Sequence, residues 1–214
     1  MLTARRGERL RALAEELAGE IAVVEGDITD PATAQACLAA AGNTVGGIVA
    51  NAGAMPIAPL ASATLDDWIH TVDVNLKGVL HLVHAALRAM PAGGDIVLVS
   101  SVAGRVPFPS AAVYSATKAA LNCMAEALRA ETAAAMKHGG PPVRVTNILP
   151  GAVATELPVS IRDDATRAGT EGYYESLPHV LDPHDVAEAI AFALEQPPHV
   201  SINELVIRPT GMVR

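Results

Sequence analysis

Short apolar runs at residues 21–25, 47–50, 96–100, 144–148 and 205–207 alternate with longer stretches of helical spacing at 6–18, 31–41, 65–90, 111–138 and 183–196. Runs of that length are too short for helices, and such alternation is how βαβ units feed a parallel sheet. Each run is continuous rather than alternately polar, which predicts strands covered on both faces. The helix ends carry their own signals. Asp30-Pro31 and Asp182-Pro183 each set a capping carboxylate before a proline at the first helical position, and Gly139-Gly140-Pro141-Pro142 ends the longest helix. The pattern predicts an α/β chain: a Rossmann-like, doubly wound parallel sheet in a three-layer α/β/α arrangement, folded as a single domain over residues 1–214. Residues 157–181 lack clear periodicity and mix Pro158, Gly169, Gly172 and Tyr173-Tyr174. They read as a substrate lid, with a surface insertion as the alternative.

Composition narrows the function. Half of the residues are hydrophobic but only 3% are aromatic, so the core is built from Ala, Val, Leu and Ile. A formal charge of −8 argues against a surface that neutralises nucleic-acid phosphates. Cys37 and Cys123 are too few for a disulfide framework and read as reduced and buried. The first eleven residues hold four arginines and no apolar stretch, and no later stretch offers eighteen uninterrupted apolar residues; the segment 79–90, for example, is broken by His81, His84 and Arg88. Neither a targeting peptide nor a membrane span is expected, and the protein reads as soluble and cytoplasmic. His81 and His84 lack a third ligand at suitable spacing, so no metal is expected.

The chemistry centres on Tyr114-Ser115-Ala116-Thr117-Lys118, which places a phenol and an ammonium four positions apart on one helix face. A phenol ionises near ~10, so acid/base work near neutrality needs a positive field, and Lys118 is placed to supply one. Upstream, Ser101 closes the apolar run Asp95-Ile96-Val97-Leu98-Val99-Ser100. That puts a hydroxyl at the carboxyl end of a strand, where doubly wound sheets bind ligands.

Taken together, these residues resemble the short-chain dehydrogenase/reductase family along the whole chain, in order and spacing. Asn51-Ala52-Gly53 resembles the family's Asn-Asn-Ala-Gly turn, with Ala50 in place of the first Asn. Val74-Asn75 resembles the site of its catalytic asparagine. Ser100-Ser101-Val102-Ala103-Gly104 and Tyr114 to Lys118 resemble its serine and Tyr/Lys pair, and Pro150-Gly151-Ala152-Val153-Ala154-Thr155 its nicotinamide-gripping segment. Ser101–Arg105 and the ending at 202–210 are similar to bacterial hydroxy-acid and clavulanate-type dehydrogenases.

The resemblance implies hydride transfer between nicotinamide and a carbonyl or secondary alcohol of a small molecule. It implies Tyr114 as proton donor and acceptor, Ser101 as hydrogen-bond donor to the substrate oxygen, Lys118 as holder of the ribose hydroxyls, and Asn75 as holder of a water linked to Lys118. Asn51, Ala52, Gly53, Pro150, Gly151, Val153 and Thr155 would contact the cofactor, and Asp27-Ile28 resembles the adenine-contacting pair. Ala4 stands where enzymes selective for the unphosphorylated dinucleotide usually carry an acid, and Arg5 with Arg6 suits a 2′-phosphate, so NADP(H) is expected over NAD(H). A solvated arginine pair is the alternative. A homodimer or homotetramer is expected by the same resemblance.

One part of the family pattern does not occur: the opening strand, Gly-x-x-x-Gly-x-Gly turn and helix that face the pyrophosphate. Such a unit takes roughly 30 residues or more. The expectation is an N-terminally truncated domain with Met1 as an internal start, and a gap between the strand at Leu2-Thr3-Ala4 and that at 47–50. The alternative is a non-catalytic remnant or interaction module that cannot bind dinucleotide.

Overall fold

A computed structural model describes residues 1–212. Its strands are β1 (Leu2–Ala4), β2 (Val23–Glu25), β3 (Gly47–Ala50), β4 (Gly94–Val99), β5 (Val143–Pro150) and β6 (Glu204–Ile207). The helices between them are α1 (Gly7–Glu16), α2 (Pro31–Ala40), α3 (Leu65–Val72), α4 (Gly78–Arg88), α5 (Ala112–Lys137), α6 (Asp164–Ser176) and α7 (Pro183–Leu194). All strand pairs are parallel, and the expected α/β/α layering is present. Ile96 and Leu98 of β4 pack with Val79, Leu82 and Val83 of α4 and Leu121 and Ala125 of α5. Val97, on the opposite face, packs with Ile148 and with Val186 of α7. No helix among the described residues is long and apolar enough to cross a membrane.

The sheet is in two pieces. β3-β4-β5-β6 form one and β1-β2 the other, so β1 and β3 each have a hydrogen-bonded neighbour on one side only. The division falls where the gap was expected. It also corrects the reading of every strand as covered on both faces. β4 and β5 are mostly buried, whereas Val49 of β3 is 41% exposed, because an edge strand has no neighbour to exclude water from that side. The smaller sheet is tied to the body through α2, whose Ala34 and Leu38 pack against Ala85 and Ala89.

Three further differences have local causes. The stretch 65–90 is not one regular helix: Asp73–Lys77 form a π-helical turn between α3 and α4. Residues 157–181 contain a 3₁₀ turn (Leu157–Ser160) and the whole of α6. α6 buries none of its residues, so it has no apolar stripe to read; its start is marked instead by Asp163, whose carboxylate accepts from Thr166 N at 2.8 Å. Cys123 is exposed, not buried, because it lies off the stripe of α5 that runs through Tyr114, Lys118, Leu121 and Ala125; Cys37 is buried.

The register aligns the carboxyl ends. Ala50 pairs with Leu98 and Val99 with Ile148, so Asn51, Ser100 and Gly151 emerge at one edge of the sheet.

Candidate active site

α5 starts at this edge and turns Tyr114, Thr117 and Lys118 inward at one-turn spacing. Ser101 arrives from β4 in extended conformation and caps the 3₁₀ turn Val102–Gly104, its hydroxyl accepting from Ala103 N at 3.1 Å. Gly104 sets how closely that turn meets α5. A Cβ there would lie 2.7 Å from the Lys118 carbonyl carbon and 2.9 Å from Ala119 N. Glycine alone therefore lets the serine turn reach the helix, which brings the Ser101 hydroxyl near the Tyr114 phenol.

Lys118 is 4% exposed, and its Nζ donates to Val99 O at 2.9 Å and sits 5.9 Å from the Tyr114 ring centroid. Burial pushes the Lys118 ammonium down to about 8. Burial pushes the Tyr114 phenol up to about 12; the nearby Ser101 hydroxyl opposes this, and Tyr174 of α6 adds to it. The sequence predicts that Lys118 lowers Tyr114; in this cleft burial is the largest influence on the phenol and raises it. The Lys118 ammonium meanwhile directs a proton at the Val99 carbonyl.

These shifts fix a pH dependence of stability. Between about 8 and 10.5 the unfolded chain keeps a proton on Lys118 that the folded chain releases, so stability rises with pH through that window. Between 10.0 and about 12 the folded chain keeps the Tyr114 proton that the unfolded chain loses, so stability falls again. The rise amounts to roughly 3 kcal/mol at full relief. Denaturant unfolding of Lys118→Met across pH 7 to ~10 is expected to show the rise abolished; a variant that still gains stability in that window would rule out Lys118 as its source.

Asn75 lies within the π turn and is fully buried. It accepts from Ala54 N at 2.7 Å and donates to Ala54 O at 2.9 Å and Thr117 Oγ1 at 3.2 Å. It therefore ties the segment after β3 to α5. Gly53 follows Asn51 and Ala52 in that segment, and a Cβ on it would sit 3.5 Å from Asn75 Oδ1 and 3.6 Å from Lys118 Nζ. The 51–53 turn thus borders both side chains. On the far side, Pro150 ends β5 and Gly151 follows it. Val153 bridges to Leu181, and Thr155 Oγ1 accepts from Leu157 N at 3.2 Å. Met55, Ile57, Ala103, Ala111, Leu157 and Ile161 form an apolar wall around Tyr114.

The sequence reading missed a polar network behind these groups. Ser100 Oγ lies 2.9 Å from Lys118 O and 2.7 Å from Asn122 Oδ1, and Asn147 Nδ2 donates to that same Oδ1 at 2.8 Å. It locks β4, α5 and β5 together below the cleft. Its signal was Asn147 in the largely buried strand β5, since a buried amide needs partners.

The residues assigned to the adenosine end have other partners. Asp27 accepts from Thr29 N at 2.9 Å and Thr29 Oγ1 at 2.8 Å, bonds that hold its carboxyl below the usual range. Ile28 packs against Gly78, where a Cβ would lie 2.8 Å from Ile28 Cγ2. Arg5 is exposed and adds to the lowering of Asp27, and Arg6 pairs with Glu156 at 2.7 Å.

Residues 1–166 match the family model described as short chain dehydrogenase. An uncharacterized oxidoreductase of Staphylococcus saprophyticus is 36% identical over 217 residues, covering 99% of this chain and 85% of that protein. Glycine betaine reductase of Emericella nidulans is 38% identical over 216 residues, 97% of this chain but only 16% of that much longer protein. Among solved structures, the closed form of serine dehydrogenase complexed with NADP+ superposes with a TM-score of 0.83 at 34% identity, covering 96% of this chain and 82% of that one.

Proposed function

From the premise that this chain belongs to the short-chain dehydrogenase family, oxidoreductases that act on CH–OH groups, we propose that it interconverts a small carbonyl compound and its secondary alcohol, with NADP(H) as hydride carrier and Tyr114 as general acid/base. The observation that carries this reading is the meeting of Ser101, Tyr114 and Lys118 at the carboxyl ends of β4 and β5, inside an apolar wall. The donor set suits the nicotinamide-ribose end of the cofactor. A buried ammonium, a glycine turn that leaves room beside it and the backbone of 150–155 would hold that end, and the group supplies hydride chemistry when bound.

The protein's part is proton placement. Tyr114, pushed up to about 12, keeps its proton at neutral pH, the state needed to protonate a nascent alkoxide. Ser101 donates toward the same oxygen as its charge grows. Lys118 lies close enough to stabilise the phenolate left behind, and Asn75 holds the 51–54 turn and α5 in register around them. The absence of an acidic side chain at Ala4, with Arg5 and Arg6 following, supports the 2′-phosphorylated carrier. Exposed Leu65, Trp68 and Ile69 on α3 support association of two copies.

The divided sheet favours a second reading, a family member that does not hold dinucleotide. Titration separates the two. Saturable quenching by NADPH, tighter than by NADH, is expected; no binding of either would refute the enzyme reading and establish the second.

A further inference from the structure

Glu156 was not among the residues that the sequence singled out, yet it makes the longest-range charged contact near the cleft. Its Oε2 lies 2.7 Å from Arg6 and its Oε1 2.8 Å from Arg9, partners 150 and 147 positions away. Each carboxylate oxygen takes one guanidinium, and the two arginines hold the carboxyl below its usual range. Both belong to the start of α1, beside a basin of about 410 Å³ where Arg5, Arg6, Arg9 and Arg11 face Glu8 and Glu25.

The other end of the contact is the cleft wall. Glu156 follows Thr155 and precedes the 3₁₀ turn whose Leu157 packs around Tyr114. Beyond it, Ser160 Oγ accepts from Met55 N at 3.0 Å, Arg162 pairs with Asp67 at 2.9 Å, and Ser62 Oγ donates to Asp163 at 2.8 Å. The segment 155–163 is thus held by polar clasps, of which Glu156 is the one that reaches the first βα unit.

We propose that Glu156 is a built-in anion that occupies the Arg6–Arg9 pair, competes with the 2′-phosphate of the dinucleotide for it, and is displaced on binding, which frees the segment 155–163 from α1. The inference rests on the NADP(H) reading above. Two guanidiniums that share one carboxylate present donors spaced for a second anion with paired oxygens, and phosphate is such an anion. Because the ion pair is about 60% exposed on both sides, it is weak enough for a dianion to exchange it. The arrangement makes Glu156 a determinant of cofactor affinity and couples one end of the cofactor to the wall of the reaction site.

The test compares the full chain with Glu156→Gln by calorimetry, using adenosine 2′,5′-bisphosphate as probe and adenosine 5′-monophosphate as comparator. The variant is expected to bind the bisphosphate about fivefold more tightly, the range an exposed ion pair allows, with the gain shrinking at high salt and the monophosphate unaffected. In the wild type the bisphosphate is expected to speed hydrogen exchange at the amides of Leu157, Val159 and Ile161; in the variant exchange there is already fast without it. Equal bisphosphate affinities, equal gains for both nucleotides, or unchanged exchange would overturn the latch and leave the NADP(H) reading standing. Failure of the bisphosphate to bind either protein would overturn that reading and the latch with it.

Discussion

Tyr114→Phe is expected to lower kcat for NADPH-dependent carbonyl reduction by about 10²–10⁴-fold, the usual contribution of a positioned general acid. The substitution removes one oxygen from a ring that is almost wholly buried, so the apolar wall of Met55, Ile57 and Ile161 keeps its packing. What the fold loses is the phenol oxygen's polar interaction beside Ser101, at most about 1 kcal/mol of stability. A large fall in turnover with a small fall in unfolding temperature is therefore the signature of an acid/base role. Turnover within twofold of wild type, measured on whichever carbonyl compound the wild type reduces fastest, would remove Tyr114 from the mechanism.

Gly104→Ala is expected to destabilise the protein by about 1–3 kcal/mol and to reduce turnover by about 10²-fold. The added methyl would lie 2.7 Å from the Lys118 carbonyl carbon, 2.8 Å from Asn122 Nδ2 and 2.9 Å from Ala119 N. Two of these atoms are backbone of a 26-residue helix, which cannot swing aside as a flexible side chain could. The serine turn must retreat instead, carrying Ser101 away from Tyr114. Gly169→Ala is the control, because nothing lies within 4 Å of the added methyl and α6 is solvent-facing. There the helix gains up to ~1 kcal/mol. If thermal unfolding shows the two variants equally stable, or if Gly104→Ala turns over normally, the close approach does not position the serine.

What the sequence made legible was whatever a buried face writes into it. β3 was read to the residue, and β4 and β5 to within two residues at each end, because each carries an apolar run against the core. Asp30 and Asp182 cap their helices as read, Asp182 within a full capping box. α6 was illegible for the converse reason, since a helix that buries nothing has no periodicity. Of the site, the Tyr114–Lys118 spacing and the strand-end Ser101 were visible in linear order. The direction of the Tyr114 shift was not, because it depends on how completely the ring is enclosed by residues 55, 57 and 161. Glu156 was equally invisible: nothing in a chain written left to right brings positions 6, 9 and 156 together.

The π-helical turn at Asp73–Lys77 bears on which insertions and deletions this chain can survive. Such a turn holds one residue more than an α-helical turn needs, and it lets Thr71, Asn75 and Val79 all face inward. Deleting one residue of the five would restore regular α-helical winding and leave α4 in phase with the sheet, whereas inserting one more would rotate everything downstream by about 100°. After a deletion Leu82, Val83 and Ala86 would stay packed on the sheet and the loss would fall on the turn's own contacts, Asn75 with Ala54 among them; after an insertion the three would swing toward solvent. A three-base gain in this codon stretch is thus expected to be far more disruptive than a three-base loss.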